Sequence, residues 1–141
     1  MRVMAPFSLA GRRPSNLGVS DSQLAPCPPT PNCVSSDASD PVHHVAPLAL
    51  RGDPHEGWNA IRQVVAAWPR TRIVTGTDEY LHAECRSTLL GFVDDLELHL
   101  RREPAVVAVR SASRLGFSDL GVNRRRIESL RAALKLQGIV D

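Results

Sequence analysis

Four short stretches that alternate between apolar and polar residues constrain the fold more than any other feature of this sequence. They are TRIVT at 71–75, EYLHAECRS at 79–87, FVDDLELHL at 92–100 and AVVAVRSAS at 105–113. Connections as short as those between them make neighbouring strands antiparallel. The sequence therefore predicts an antiparallel sheet of about four strands.

The alternation also assigns side chains to the two faces of this sheet. With Leu100 placed opposite Ala105, one face receives mostly aliphatic side chains and is the face that helices should cover. The other face receives the polar set His82, Glu84, Arg86, Asp95, Glu97, His99 and Arg110. In this register Asp95 lies opposite Arg110, which predicts a cross-strand ion pair. Asp95 also lies opposite Glu84, so an arginine is expected between the two carboxylates, with Arg86, Arg110 and Arg114 as candidates. Asp94 then lies on the apolar face, where a buried carboxylate needs a partner, and an arginine in the first turn of the last helix could supply it.

Two helices are expected to cover the apolar face. The first has Asp53 as its N-cap and Pro54 at its first position, and its apolar residues recur at helical spacing until Pro69 ends it. The last helix should begin near Asn123, a good N-cap residue, and end at Gly138. Sheet and helices together predict an α+β fold.

Most of the prolines lie before the first helix, in residues 1–52, which show no sustained helical or strand periodicity. We predict that this segment is an extended arm packed along the sheet, with residues 1–13 frayed or disordered. Residues 14–141 are predicted to form a single domain, which suits a chain of 141 residues.

Cys27 and Cys33 flank the rigid segment PPTPN. They could form a small disulfide loop, remain as thiols, or bind zinc together with His43 and His44. The spacing of these four residues fits no standard zinc motif. We therefore predict neither a metal site nor a cofactor.

Composition limits the partners and the location. A formal net charge of +2 is too small to indicate nucleic-acid binding, and no run reaches the roughly 18–20 apolar residues of a membrane span. The first residues lack a convincing signal peptide, so a cytoplasmic location is the default expectation, with export or membrane association as the alternative. The sequence does not indicate an oligomeric state.

Sixteen arginines accompany a single lysine, and five of the arginines fall within VRSASRLGFSDLGVNRRRIESL, residues 109–130. Three of the five occupy the predicted first turn of the last helix, where the helix dipole favours acidic residues instead. Guanidinium groups pair well with carboxylates and phosphates. The charge of this segment must therefore be balanced by the protein's own carboxylates or by a bound anion.

The first hypothesis that follows from this excess of positive charge is a small binding or accessory domain with a polar site lined by arginine and aspartate. Its ligand would be an anionic small molecule, bound at the helix start and the Ser/Gly-rich segment before it. The residues predicted to form the site are Arg110, Ser111, Ser113, Arg114, Asp119, Asn123, Arg124 and Arg126.

Two alternatives remain open. The protein could be an enzyme with Asp94 or Asp95 as general base, which would require an unpaired carboxylate with a raised pKa. It could instead serve structure or protein interaction, with its arginines only clamping strand to helix. Asp94, Asp95 and Glu97 are available for either role, and Asp119 for the clamp.

Three motifs in order, APCPPTPNCVSS, GFVDDLELHL and VRSASRLGFSDLGVNRRRIESL, resemble the domain-of-unknown-function family 1499 over about residues 14–136. The matching positions are Pro31, Asn32, Cys33, Ser35, Ser36, Phe92, Asp94, Asp95, Glu97, Arg110, Ser111, Ser113, Arg114, Gly116, Ser118, Asp119, Gly121, Asn123 and Arg126. The resemblance implies a bacterial or plant protein whose relatives often have an exported or membrane-associated start. The family has no established activity, so the resemblance implies no catalytic role for any residue.

Overall fold

The computed structural model describes residues 10–88 and 90–141 and has the predicted α+β fold. Helix α1 spans Pro54–Ala66 and helix α2 spans Val122–Leu136. The strands are β1 (Val19–Ser20), β2 (Gln23–Leu24), β3 (Cys33–Ser35), β4 (Leu48–Ala49), β5 (Thr71–Gly76), β6 (Tyr80–Arg86), β7 (Val93–Arg102) and β8 (Ala105–Ser113). Strands β1 and β2 form a separate hairpin. The main sheet is antiparallel, with the order β3–β8–β7–β6–β5 and with β4 also paired to β8.

Within the described residues the main sheet has six strands, so the prediction of about four was too low. The two additional strands, β3 and β4, come from the segment that we interpreted as an arm without strand structure. They are three and two residues long, too short for an alternating pattern to be recognised. Both pair with the same edge of β8, and they satisfy backbone groups that this long strand would otherwise leave unpaired.

The register between β6 and β7 is the predicted one, whereas the register between β7 and β8 is shifted by two residues. Leu100 lies opposite Val107 because the turn between these strands is shorter than we assumed. A shift of two residues leaves every side chain on its predicted face, since the side-chain period of a strand is two. It does change the cross-strand partners. The predicted pairing of Asp95 with Arg110 is wrong, because Arg110 lies opposite Glu97.

Both helices pack on the apolar face of the sheet, where they bury the main hydrophobic core. Helix α1 begins as predicted: the side chain of Asp53 accepts a hydrogen bond from the backbone N–H of Glu56 at 2.9 Å. The core residues contributed by the helices are Trp58, Ile61, Val65, Ile127, Leu130 and Leu134. The helical apolar spacing of the sequence therefore predicted which side of each helix is buried.

The N-terminal arm covers the opposite, polar face of the sheet. Gly18 donates its backbone N–H to Glu97 Oε1 at 2.8 Å, and Arg101 binds both carboxylate oxygens of Asp37 at 2.7 and 2.8 Å. As a result, charged side chains that would otherwise face water lie in a second, polar buried layer. The predicted frayed segment 1–13 lies mostly outside the described residues, but Arg13 at its end is described and contacts this layer.

A disulfide joins Cys27 to Cys33. Because Cys33 belongs to β3, the disulfide fixes the proline-rich loop to the edge of the main sheet.

Within the part of the chain that the structure describes, no three His, Cys, Asp or Glu side chains are grouped so that they could hold a metal ion. No helix in residues 10–88 and 90–141 has the length and hydropathy required to cross a membrane.

Replacing Cys27 by serine should lower the free energy of unfolding by about 2 kcal/mol, because a short closed loop no longer restricts the unfolded chain. Urea unfolding of both proteins without reductant measures the difference. With a thiol reductant present, the two proteins should be almost equally stable. A large difference that persists in reductant would show that the substitution acts through something other than the disulfide.

Candidate functional site

A cleft of about 420 Å³ opens at one end of the main sheet. One side of it is formed by residues 86–88 and 92–93, at the end of β6 and the start of β7. The other side is formed by residues 113–116, 118–120 and 122, which lead from β8 into α2. The cleft therefore includes much of the arginine-rich segment that the sequence singles out.

Arg126 joins α2 to β7 at the base of this cleft. Its Nη2 donates to Asp94 Oδ2 at 2.8 Å, and its Nη1 donates to Ser111 Oγ at 3.0 Å and to Asn123 Oδ1 at 2.8 Å. Asp94 lies on the apolar face, where an unpaired carboxylate would be costly. A first-turn arginine of the last helix thus supplies the countercharge that Asp94 was expected to need.

Asn123 is fully buried and connects three parts of the chain. Its Nδ2 lies 2.9 Å from Ser113 Oγ, 2.8 Å from Asp119 Oδ2 and 3.3 Å from the carbonyl oxygen of Asn32. It is not the N-cap of α2, as we had predicted, because Gly121, two residues earlier, occupies the cap position. Its amide instead fixes the start of α2 to the end of β8.

Asp119 performs the capping that Gly121 cannot. Its Oδ1 accepts the backbone N–H of Gly121 at 2.8 Å, and its Oδ2 accepts the backbone N–H of Asn123 at 2.9 Å. Burial raises the pKa of Asp119, but hydrogen bonds from Asn123 and Gly121 outweigh this effect, so the net pKa lies below its usual value. An ionised carboxylate therefore stands beside the cationic first turn of α2.

Arg114 lies where the cleft meets the polar layer under the arm. Its Nε and Nη2 donate to the two carboxylate oxygens of Asp95, both at 2.8 Å, and Nη2 also contacts Glu84. Burial raises the pKa of Asp95, but hydrogen bonds from Arg114 and His82 lower it by more, so the net shift is downward. The enzyme alternative required an unpaired carboxylate, whereas Asp95 is paired with Arg114 and Asp94 with Arg126.

Two of the predicted ligand-binding arginines lie away from the cleft. Arg110 is buried under the arm, where its Nε donates to the carbonyl oxygen of Ala25 at 2.9 Å and its Nη1 to Glu97 Oε2 at 3.4 Å. Arg124 donates to the carbonyl oxygens of His44 and Val42 at 2.8 and 3.0 Å. Both arginines hold the preceding chain against the domain, so the structure does not bring them to a shared ligand site.

Four of the eight residues predicted for the ligand site line the cleft, namely Ser113, Arg114, Asp119 and Arg126. Sequence reasoning missed the rest of the lining that distinguishes this cleft, namely Arg70, Arg86, Phe92, Leu115, Leu120 and Val122. One signal was available for the apolar members: the segment LGFSDLGV places four large apolar residues in a loop that contains two glycines. No comparable signal marked Arg70 or Arg86.

The fold and the cleft define a small α+β domain with a partly charged, partly apolar concave site. The chain matches the model of the family described as Protein of unknown function (DUF1499) over residues 23–134. It belongs to this family, as its three motifs indicated. No curated protein and no solved structure matches the chain.

Replacing Arg114 by methionine should lower the free energy of unfolding by about 3–5 kcal/mol, because Asp95 would stay buried without its arginine. Urea unfolding measures the loss. Arg102→Met is the matched control, since Arg102 is exposed at the other end of the sheet and pairs with Glu79 only at 3.3 Å. The control should cost less than about 1 kcal/mol. Similar losses in both variants would contradict a special role for the Arg114 pair.

Glu84 should make the fold sensitive to acid. Burial raises its pKa, but hydrogen bonds from Arg72, Arg114 and Arg13 outweigh burial and bring the pKa to about 2, below the usual 4.5. Because the folded-state pKa is lowered, the stabilisation is complete above pH 4.5 and is lost as the pH falls towards 2.

Glu84→Gln should consequently be less stable than the wild type at neutral pH, with a difference that shrinks between pH 4.5 and 2. Urea unfolding over a pH series tests this expectation. Glu128→Gln, at an exposed position of α2, is the control and should leave the pH dependence unchanged. A stability difference that is the same at every pH would exclude titration of Glu84 as its cause.

Proposed function

We propose that this domain is a binding module whose cleft holds an anionic small molecule. The observation that carries the proposal is the presence of Arg70 and Arg86 in the cleft lining. Both are exposed, and neither makes a salt bridge or a side-chain hydrogen bond with another described residue. An arginine without a partner at a concave site is available to bind a carboxylate or a phosphate in bidentate fashion.

The charge of the whole lining supports the same ligand class. Four arginines and two aspartates line the cleft, namely Arg70, Arg86, Arg114 and Arg126 with Asp94 and Asp119. Because Arg114 is already paired with the buried Asp95, the lining keeps an excess of one positive charge. Both aspartates are already engaged, Asp94 by Arg126 and Asp119 by the start of α2. The remaining charge in the cleft is therefore positive and attracts an anion.

The cleft is also built before any ligand arrives. The side chain of Asn32 donates to the carbonyl oxygen of Gly116 at 2.8 Å, and Arg125 donates to that of Leu120 at 2.8 Å, so both ends of the loop are held. Ser113 Oγ accepts from Asn123 and donates to no described residue, which leaves its hydroxyl proton for a ligand oxygen. A volume of about 420 Å³ suits a small molecule.

The disulfide bears on where such a module would work. A bond between Cys27 and Cys33 persists in an oxidising compartment and would be reduced in most cytoplasms. It therefore supports the exported alternative over the cytoplasmic default as the location in which the proposed ligand is met.

Small carboxylates or inorganic phosphate should raise the melting temperature above its value in sodium chloride of equal ionic strength, because ligands that bind the folded state stabilise it. Arg86→Gln should weaken the affinity about tenfold, the loss expected for one charge-assisted hydrogen bond. Arg102→Gln removes an exposed charge at the other end of the sheet and should keep wild-type affinity. Thermal shift with a ligand titration provides both measurements. Equal responses of the two variants, or no response to any anion, would refute the proposal.

A further inference from the structure

Most of the large apolar side chains that are exposed on the described part of the protein lie around this cleft. Of the residues that the structure describes, nine large apolar residues are exposed, and six of them belong to the two segments that flank the cleft: Leu90, Phe92, Leu115, Phe117, Leu120 and Val122. Single exposed apolar residues are common on proteins, whereas a cluster of them indicates a binding surface.

Leu120 is the most informative member of this cluster. It is 84% exposed, and its backbone has φ 54°, in the left-handed region that a branched-chain residue seldom adopts. The turn that Asp119 forms at the start of α2 and the hydrogen bond from Arg125 hold it in that conformation. Strained, exposed positions of this kind occur preferentially at binding sites.

The two unpaired arginines lie across the cleft from Leu115, Leu120 and Val122. Arg70 directly precedes β5 and Arg86 is the last residue of β6, and the backbone N–H of Arg86 donates to the carbonyl oxygen of Arg70 at 2.8 Å. Leu115, Leu120 and Val122 follow β8, two strands away from β6. Since neighbouring strands lie about 4.8 Å apart, the two sides are separated by about 10 Å.

We infer that the ligand is an anionic amphiphile, with a carboxylate or phosphate head at Arg70 and Arg86 and a hydrocarbon chain along Leu115, Leu120 and Val122. The inference rests on the proposed function and adds the class of molecule. A small inorganic anion would occupy the cationic side and leave the apolar side exposed to water. An extended chain of about 10 Å reaches both sides and buries apolar surface on both partners.

A second copy of the protein is a poorer occupant of this surface. A symmetric contact would bring the same patch of each copy together, so the unpaired Arg70 and Arg86 of both copies would meet. The cleft offers no free carboxylate to offset that repulsion, because its two aspartates are already engaged. Charge therefore favours a negatively charged ligand over self-association.

Calorimetric titration with acetate, hexanoate, octanoate and decanoate, all below their micelle-forming concentrations, tests the inference. The dissociation constant should fall by up to about fourfold for each methylene that the cleft buries. Leu120→Ser should flatten this dependence on chain length, whereas Arg86→Gln should weaken every member by a similar factor. Leu136→Ser is the matched control, because Leu136 is 90% exposed and does not line the cleft.

The outcomes separate the inference from the proposed function. Equal affinity for all four carboxylates would overturn the amphiphile and leave the anion site standing. Octanol binding as tightly as octanoate would overturn the role of the charged head. Absence of binding by every carboxylate and by phosphate would overturn both proposals. Circular dichroism of each variant establishes that it is folded.

A second arm of the experiment identifies the source of the ligand. Phosphatidylcholine vesicles that contain phosphatidic acid present a phosphate head and a hydrocarbon chain within a bilayer. Vesicles of phosphatidylcholine alone are the control. Binding to the monomeric carboxylate supports a free amphiphile, and binding confined to acidic vesicles supports a lipid in a membrane surface. In either case Leu120→Ser should weaken binding and Leu136→Ser should not, while loss of binding in both variants or in neither would overturn the inference.

Discussion

The rest of the structure depends on the pairing of two adjacent aspartates with two arginines. Asp94 and Asp95 follow one another in β7, so their side chains point to opposite faces of the sheet. On the helix side Asp94 meets Arg126, and on the arm side Asp95 meets Arg114. The two arginines lie on either side of the connection between β8 and α2. Because each carboxylate is buried and would be costly alone, β7 holds this connection at both ends and fixes one wall of the cleft.

This arrangement changes the meaning of the arginine-rich segment. Arg110, Arg114, Arg124 and Arg126 satisfy carboxylates or backbone carbonyls of the domain itself. Most of the positive charge that suggested a ligand therefore stabilises the fold. The charge left for a ligand comes from Arg70 and Arg86, which no motif distinguished, and it lies beside apolar residues of the glycine-containing loop. The internal ion pairs thus stabilise the fold around the cleft, and the proposed binding surface consists of the arginines and apolar residues that take no part in these pairs.

Much of the fold could be predicted because the side-chain periods of strands and helices are visible in the residues themselves. The alternation from 79 to 113 gave the correct faces, and it still did so when the β7–β8 register moved by two residues. The pairing of a first-turn arginine with Asp94 was expected because a charge on an apolar row needs a partner. The short strands β3 and β4 were missed because they form only against the edge of β8. For Asp95 the cross-strand pairing with Arg110 was wrong, since it depended on the length of one turn, whereas Arg114 was among the arginines expected between Asp95 and Glu84.

By itself, the sequence determined the α+β class, the faces of the sheet, the buried sides of both helices and the family. Each of these follows from local periodicity or from motifs, which need no knowledge of distant contacts. Only the tertiary structure decided which arginines have carboxylate partners, that the arm buries the polar face, and that Arg70, Arg86 and Leu120 share a cleft. These features are contacts between residues that are far apart in the chain. Their geometry depends on strand registers and turn lengths, which local sequence patterns do not determine.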